Sequence, residues 1–357
     1  MARILYGVHG TGHGHAMRAL AVARHYPRHV FQFVSHGEGS ALLRHEFPVV
    51  ECPNPETPIR AHGVDSLRAL RTVVKTRLQQ SRRLRDLRDL MDRFQPDVAI
   101  TDYEYFVPRA ARLAGLPCVS LDHQHVVTFG RYPLPWRAWP GYVFTVGAIR
   151  GLFTCADEYL VTSFFQPETK PGAARVQFAP PLLRGQVFQH KAVEGDHVLA
   201  YQGYSTFRGF VPFLRRLGRP VRVYGLGSGG PDGSLDFRAP HEARFLEDLA
   251  TCRYVVCGGG HTLISEALFF GKPVVSIPIR HAFEQFVNAS EVTRRGYGLG
   301  VGAARLGALG IGDLEARLEA CRPNVRAGNF RGNEEIFASL DRFITSGTLW
   351  PAERPRN

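Results

Sequence analysis

Apolar residues in this chain fall into short unbroken blocks, separated by longer stretches in which they recur every third or fourth position. The blocks at 3–8, 30–34, 47–51, 97–101, 118–121 and 158–162 read as strands buried on both faces. The stretches at 16–25, 39–45, 66–94, 106–114 and 143–153 carry helical spacing. A second series follows, with strands at 197–202, 221–224, 254–257 and 273–278 and helices at 207–217, 242–250, 262–270 and 333–345. Strand–helix alternation predicts α/β architecture, a parallel sheet with helices on both faces, in each half. Pro167, Pro171, Pro180 and Pro181 mark a linker between the halves. The segment 132–141, rich in Pro and Trp, predicts an irregular surface loop, and 345–357 a disordered tail. The expected domains are 1–185, 186–335 and a terminal helix with its tail, 336–357.

Composition narrows the class. With 357 residues there is room for two domains, and 44% hydrophobic with 21% charged residues is ordinary for a globular protein. No apolar run is long enough to span a bilayer. The opening residues read as a first strand rather than a signal, and six Cys show no CxxC pair. A cytoplasmic protein with buried reduced thiols is expected. The formal charge of +12 favours anionic partners. Zinc-finger spacing, an RNP-like aromatic motif and a long basic tail are all missing from the sequence, so no nucleic acid partner is expected. Segment 66–94 carries nine Lys/Arg around a leucine stripe. It reads either as a core-facing helix with a solvated basic face or as a peripheral contact with anionic lipid on the inner face of a membrane.

Two turns carry candidate chemistry. In the second half, Cys257-Gly258-Gly259-Gly260-His261-Thr262 passes from strand through glycines into a helix. A helix start offers unpaired N–H groups and the positive dipole end, which suits phosphate. Glu266 follows in that helix, and Glu284-Gln285 follow the next strand, at the same sheet edge. A diphosphate cradle beside polar side chains is what a nucleotide-sugar site requires. In the first half, Gly10-Thr11-Gly12-His13-Gly14-His15 is no dinucleotide fingerprint, because His15 occupies the third glycine position. A histidine at a helix start serves as a general base near neutral pH. Asp102 ends a parallel strand on the same edge, where it would fix the tautomer of His15; alternatively it caps the next helix, and the histidines pack. The pairs His13-x-His15 and His123-x-His125 lack a matching ligand set, and no metal is expected.

On these residues the chain resembles the GT-B nucleotide-sugar glycosyltransferases. It looks most like family 28, the group of MurG, and more distantly like the family 1 UDP-glycosyltransferases. Run 12–23 resembles that group's first loop and helix, and run 258–289 is the strongest match. The resemblance implies two Rossmann-like doubly wound domains facing each other across a cleft. It implies inverting, metal-independent transfer from a UDP- or dTDP-sugar to a hydroxyl acceptor, lipid-linked or a small molecule, with no cofactor. His15 falls at the general base and Asp102 at its supporting aspartate. Gly259, Gly260, His261 and Thr262, with Ser205 and Thr206 opposite, would take the diphosphate. Glu266 would take the ribose hydroxyls, Glu284 and Gln285 the sugar, and the segment at Arg238 would line the base. His13 and Trp136 would meet the acceptor. The pair Glu284-Gln285 departs from the usual Asp-Gln or Gln-Gln, and 202–206 is a rough version of the usual Gly-Gly-Ser loop. Two other readings stay open: a hydrolysing nucleotide-sugar epimerase of the same fold, and a catalytically silent sugar-nucleotide or lipid-binding partner protein.

Overall fold

The computed structural model describes residues 1–55, 59–60, 63–64, 66–203 and 207–351, so Ser205 and Thr206 lie outside the described residues. The chain forms two compact units. The first takes Met1–Thr57, Ser66–Leu182 and Arg331–Asn357, and the second Pro58–Asp65 with Leu183–Phe330.

The first unit is built on a seven-stranded sheet. Its strands are β1 (Arg3–Val8), β2 (Val30–Ser35), β3 (Val49–Glu51), β4 (Val98–Asp102), β5 (Cys118–Asp122), β6 (Glu158–Thr162) and β7 (Val176–Ala179). They lie in the order β7-β6-β5-β4-β1-β2-β3, all parallel, with Tyr6 opposite Phe33 on one side and Ile100 on the other. Every residue of β4, β5 and β6 is buried, as a sheet covered on both faces requires, and the polar residues Asp102, Asp122 and Glu158 are buried with their apolar neighbours. Helix α1 (His13–His25) packs Ala16, Ala19, Leu20, Val22 and Ala23 against this sheet. Chain order reverses between β1 and β4, which makes that gap the switch point where doubly wound sheets hold ligands.

Two expectations fail here. The proline-marked linker contains β7, paired in parallel with β6, so the prolines bracket a strand rather than free chain. The final helix, Asn333–Ser346, belongs to the first unit and not to a separate tail. Ile336, Leu340, Phe343 and Leu349 are buried in the same core as Tyr26, Ala179 and Leu182. Each such side chain contributes roughly 1.5–3 kcal/mol on burial. The backbone N–H of Leu349 also donates to the buried carboxylate of Glu158, so order extends past the expected start of the tail.

The second unit repeats the plan. Strands β8 (Val198–Tyr201), β9 (Val221–Tyr224), β10 (Gly230–Asp232), β11 (Leu235–Arg238), β12 (Tyr254–Cys257), β13 (Val274–Ser276) and β14 (Gly298–Gly300) form its sheet. Their order is β10-β11-β9-β8-β12-β13-β14, parallel except for β10 against β11. Its switch point lies between β8 and β12, so the glycine turn at 258–260 leaves the sheet there. The hairpin at 230–238 and β14 escape the sequence reading because glycines interrupt their apolar character.

Candidate active site

The switch point of the first unit is furnished with side chains. His15 Nδ1 lies 2.7 Å from Asp102 Oδ1. A carboxylate can only accept, so Nδ1 carries the proton and Nε2 is left with its lone pair. Asp102 is fully buried and also holds a cation. Arg18, one turn beyond His15 on α1, donates Nε to Asp102 Oδ2 at 2.7 Å and Nη2 to Oδ1 at 2.7 Å. Burial works against the charge on Arg18, but the Asp102 carboxylate outweighs it and holds the guanidinium protonated. Opposite, the Gln124 side-chain amide donates Nε2–H toward His15 Nε2 at 3.3 Å, while its Oε1 is buried without a partner. The next residue after Asp102, Tyr103, has φ +52°, a conformation that costs a non-glycine residue about 1–3 kcal/mol. Held so, its ring lies flat against Phe153 at 4.0 Å and near His15 at 6.3 Å. Buried His9 completes the wall, and its own burial, with His15 and His36 close by, pushes its pKa well below the ordinary histidine value.

Of the expected acceptor-side residues, His13 is the exposed first residue of α1. Trp136 does not join the wall around His15. It sits in a 3-10 turn (Trp136–Ala138), 76% exposed, with the Arg137 guanidinium over its ring. Tyr103 and Phe153 take the place expected of it. A second His–Asp pair, His125 Nδ1 to Asp122 Oδ2 at 2.6 Å, is wholly buried and structural.

The switch point of the second unit is furnished with backbone. Gly258–Gly260 lead into α9 (His261–Phe269), whose N-cap, Gly260, supplies no side-chain bond. A Cβ at Gly259 would fall 2.5 Å from Gln285 Cβ, whereas one at Gly260 would meet nothing within 4 Å. The inner glycine therefore lets the turn pack on helix α10 (Phe283–Arg294), and the outer one leaves the helix start uncovered. Gln285 Oε1 accepts from the N–H groups of Gly259 (3.4 Å) and Ile279 (3.0 Å), clamping turn to loop. Asn288 Nδ2 donates to Gly259 O at 2.9 Å and to Glu284 Oε1 at 3.4 Å. His261 turns its ring back onto Ser265 of its own helix, leaving its backbone and that of Thr262 at the helix start. His281, just ahead of α10, has φ +63°, a second strained residue beside a switch point.

Two expected donor-side groups are already paired. Both oxygens of Glu266 accept from Arg184, at 2.7 and 2.8 Å, and Arg184 reaches Glu242 as well. Each carboxylate oxygen keeps a further lone pair, so a diol would share Glu266 with Arg184. Arg238 is bound to Asp236 and to buried Asp248, which also accepts from Tyr224; its charge is neutralised within the unit. Sequence reading gave no role to Arg18, Gln124, Arg184 and Asn288. Arg18 and Asn288 were within reach of it, standing one turn from His15 and Glu284 on the same helix faces. Nothing local pairs Arg184 with a residue 82 positions away. Among the described residues no group of three or more His, Cys, Asp or Glu converges as a metal site.

Two doubly wound units, each with its candidate site at its own switch point, make this a GT-B protein. A profile of Glycosyl transferase family 1 matches residues 2–319, and the chain belongs to that family. It is 25% identical over 348 residues to an uncharacterized glycosyltransferase of Methanopyrus kandleri, covering 89% of this chain and 95% of that one. The fold is similar to that of the calicheamicin glycosyltransferase CalG4, with TM-score 0.63, 19% identity and coverage of 97% and 98% of the two chains. MurG of Acinetobacter baumannii is also similar, with TM-score 0.58, 14% identity and coverage of 96% and 100%. No helix among the described residues is long and apolar enough to cross a membrane.

Proposed function

We propose that this glycosyltransferase uses a nucleoside-diphosphate sugar, UDP- or dTDP-linked, and transfers the sugar with inversion to a hydroxyl. The observation that carries the reading is the pairing of His15 with Asp102 at 2.7 Å, on the first sheet's switch point, in a chain whose second switch point opens on an uncovered helix start. The acceptor hydroxyl takes the place of the Gln124 amide at His15 Nε2. Its oxygen bonds to the anomeric carbon as the bond from that carbon to the diphosphate breaks on the opposite side, and its proton passes to Nε2. Asp102 stabilises the imidazolium that results. A base of this kind supplies about 10²–10⁴-fold in rate.

The diphosphate binds the N–H groups of Gly260, His261 and Thr262, since that of Gly259 is held by Gln285; their dipoles also stabilise the charge on the leaving group without a metal. Ser205 and Thr206 add hydroxyl donors to it. Glu266, oriented by Arg184, accepts from the ribose hydroxyls. Glu284 and the NH₂ of Gln285 read the sugar, and the main chain at 237–240 lines the base, since the Arg238 charge is spent. We read the acceptor as lipid-linked, in keeping with the basic outer face of helix 66–94 and the exposed apolar residues near it. Calorimetric titration with UDP, dTDP, GDP and ADP, with and without EDTA, tests the donor half. One diphosphate binding equally in both buffers is the expected result; binding of none, or binding abolished by EDTA, would overturn it.

A further inference from the structure

Residues 123–156 contain no carboxylate and three arginines, Arg131, Arg137 and Arg150. Within this stretch, helix α6 (Trp139–Leu152) is apolar on both sides. Val146 and Ile149 face the core, while Trp139, Val143 and Phe144 face out, Phe144 being 71% exposed. With Trp136 before them, these four leave apolar surface exposed around the helix, which a water-facing helix does not sustain without a partner. The helix is firmly seated. Lys170 Nζ donates to Tyr142 Oη at 2.6 Å and to the carbonyls of Val127 and Thr128.

Next to it runs α3 (Ser66–Phe94), where Arg77 donates to the carbonyl of Gly151 at the end of α6. Leu78, 82% exposed, shares its face of α3 with exposed Arg71, Lys75, Arg82 and Arg85. Exposed apolar surface beside a cationic row is complementary to an anionic bilayer, whose acyl boundary takes the aromatic residues while its headgroups take the arginines.

We propose that α6 and the turn before it insert into the surface of an anionic membrane, with α3 binding the headgroups. The same helix ends at Phe153, which stacks on Tyr103 beside His15. Docking there sets the candidate base next to the lipid surface, where the hydroxyl of an amphiphile would reach it. The docking is independent of the transfer reaction; only this use of it rests on the proposed function.

Co-sedimentation with phosphatidylcholine vesicles, with and without phosphatidylglycerol, tests the inference. The wild type should bind the anionic vesicles, less tightly as salt rises, and its tryptophan emission should shift to the blue in a W350F background. W136S/W139S/F144S should lower binding at least tenfold, and V143S/F144S in the W350F background should reduce the shift. Changing Arg71, Lys75, Arg82 and Arg85 to Gln should keep the fold and lower binding by about tenfold or more. No vesicle binding by the wild type, unchanged binding by the triple variant, or a wild-type dimer that the triple variant dissociates would each overturn it.

Discussion

The two units share the order of six parallel strands and the place of the switch point among them, but they furnish that point with opposite materials. In the first, four side chains converge: His15, Asp102, Arg18 and Gln124. In the second, side chains retreat into support. Gln285 and Asn288 fasten the glycine turn from behind, and its outer face is main chain. The difference follows from the chemistry each would do. Moving a proton needs one titratable atom in a fixed orientation. Holding a diphosphate needs several weak donors aimed together, which a helix start supplies at no cost in side-chain entropy.

The comparison can be broken first at His15. We expect His15→Gln to lower kcat by about 10²–10⁴-fold while leaving nucleotide affinity unchanged; an equal loss of affinity would mean the first unit is not confined to proton transfer. Asp102→Asn should cost about 3–5 kcal/mol of stability, because Arg18 is left buried beside an uncharged partner. Denaturant titration reads this, and Arg18→Met combined with Asp102→Asn should recover part of the loss.

A pH effect separates the units further. Glu104, beneath the first site, receives the N–H groups of Phe106 and Val107, yet burial raises its pKa from 4.5 to about 7. The native state then binds the proton more tightly than the unfolded chain. Stability is full below about pH 4.5 and declines up to about pH 7, by about 3 kcal/mol in total. Glu104→Gln should flatten that slope; a stability that rises over this window would reverse the sign.

Smaller changes probe the second site. Gly259→Ala drives a methyl into Gln285 and should cost about 1–3 kcal/mol of stability. Gly260→Ala meets no atom and should leave stability within about 0.5 kcal/mol of wild type, yet it places a methyl beside the helix start and should weaken nucleotide binding.

Much of this was legible in the sequence, for definable reasons. Runs such as 98–100 and 254–257 are apolar throughout, so their burial in parallel sheets follows directly. Strand β7 was hidden because prolines flank it, and the return of helix 333–346 to the first core was hidden because periodicity names a buried face but not what covers it. At the sites, residue types at turn ends were readable. Partnerships across the fold were not: Arg184 with Glu266, or Gln124 with His15, are fixed only when separate strands bring their ends together.

Division of labour between the two switch points is the central claim, and one titration tests it most directly: UDP and dTDP into wild type, His15→Gln and Gly260→Ala, in EDTA. The account predicts that His15→Gln binds as wild type does and Gly260→Ala at least about tenfold more weakly, a loss of about 1.4 kcal/mol. Equal weakening of both, or wild-type affinity in both, would contradict it.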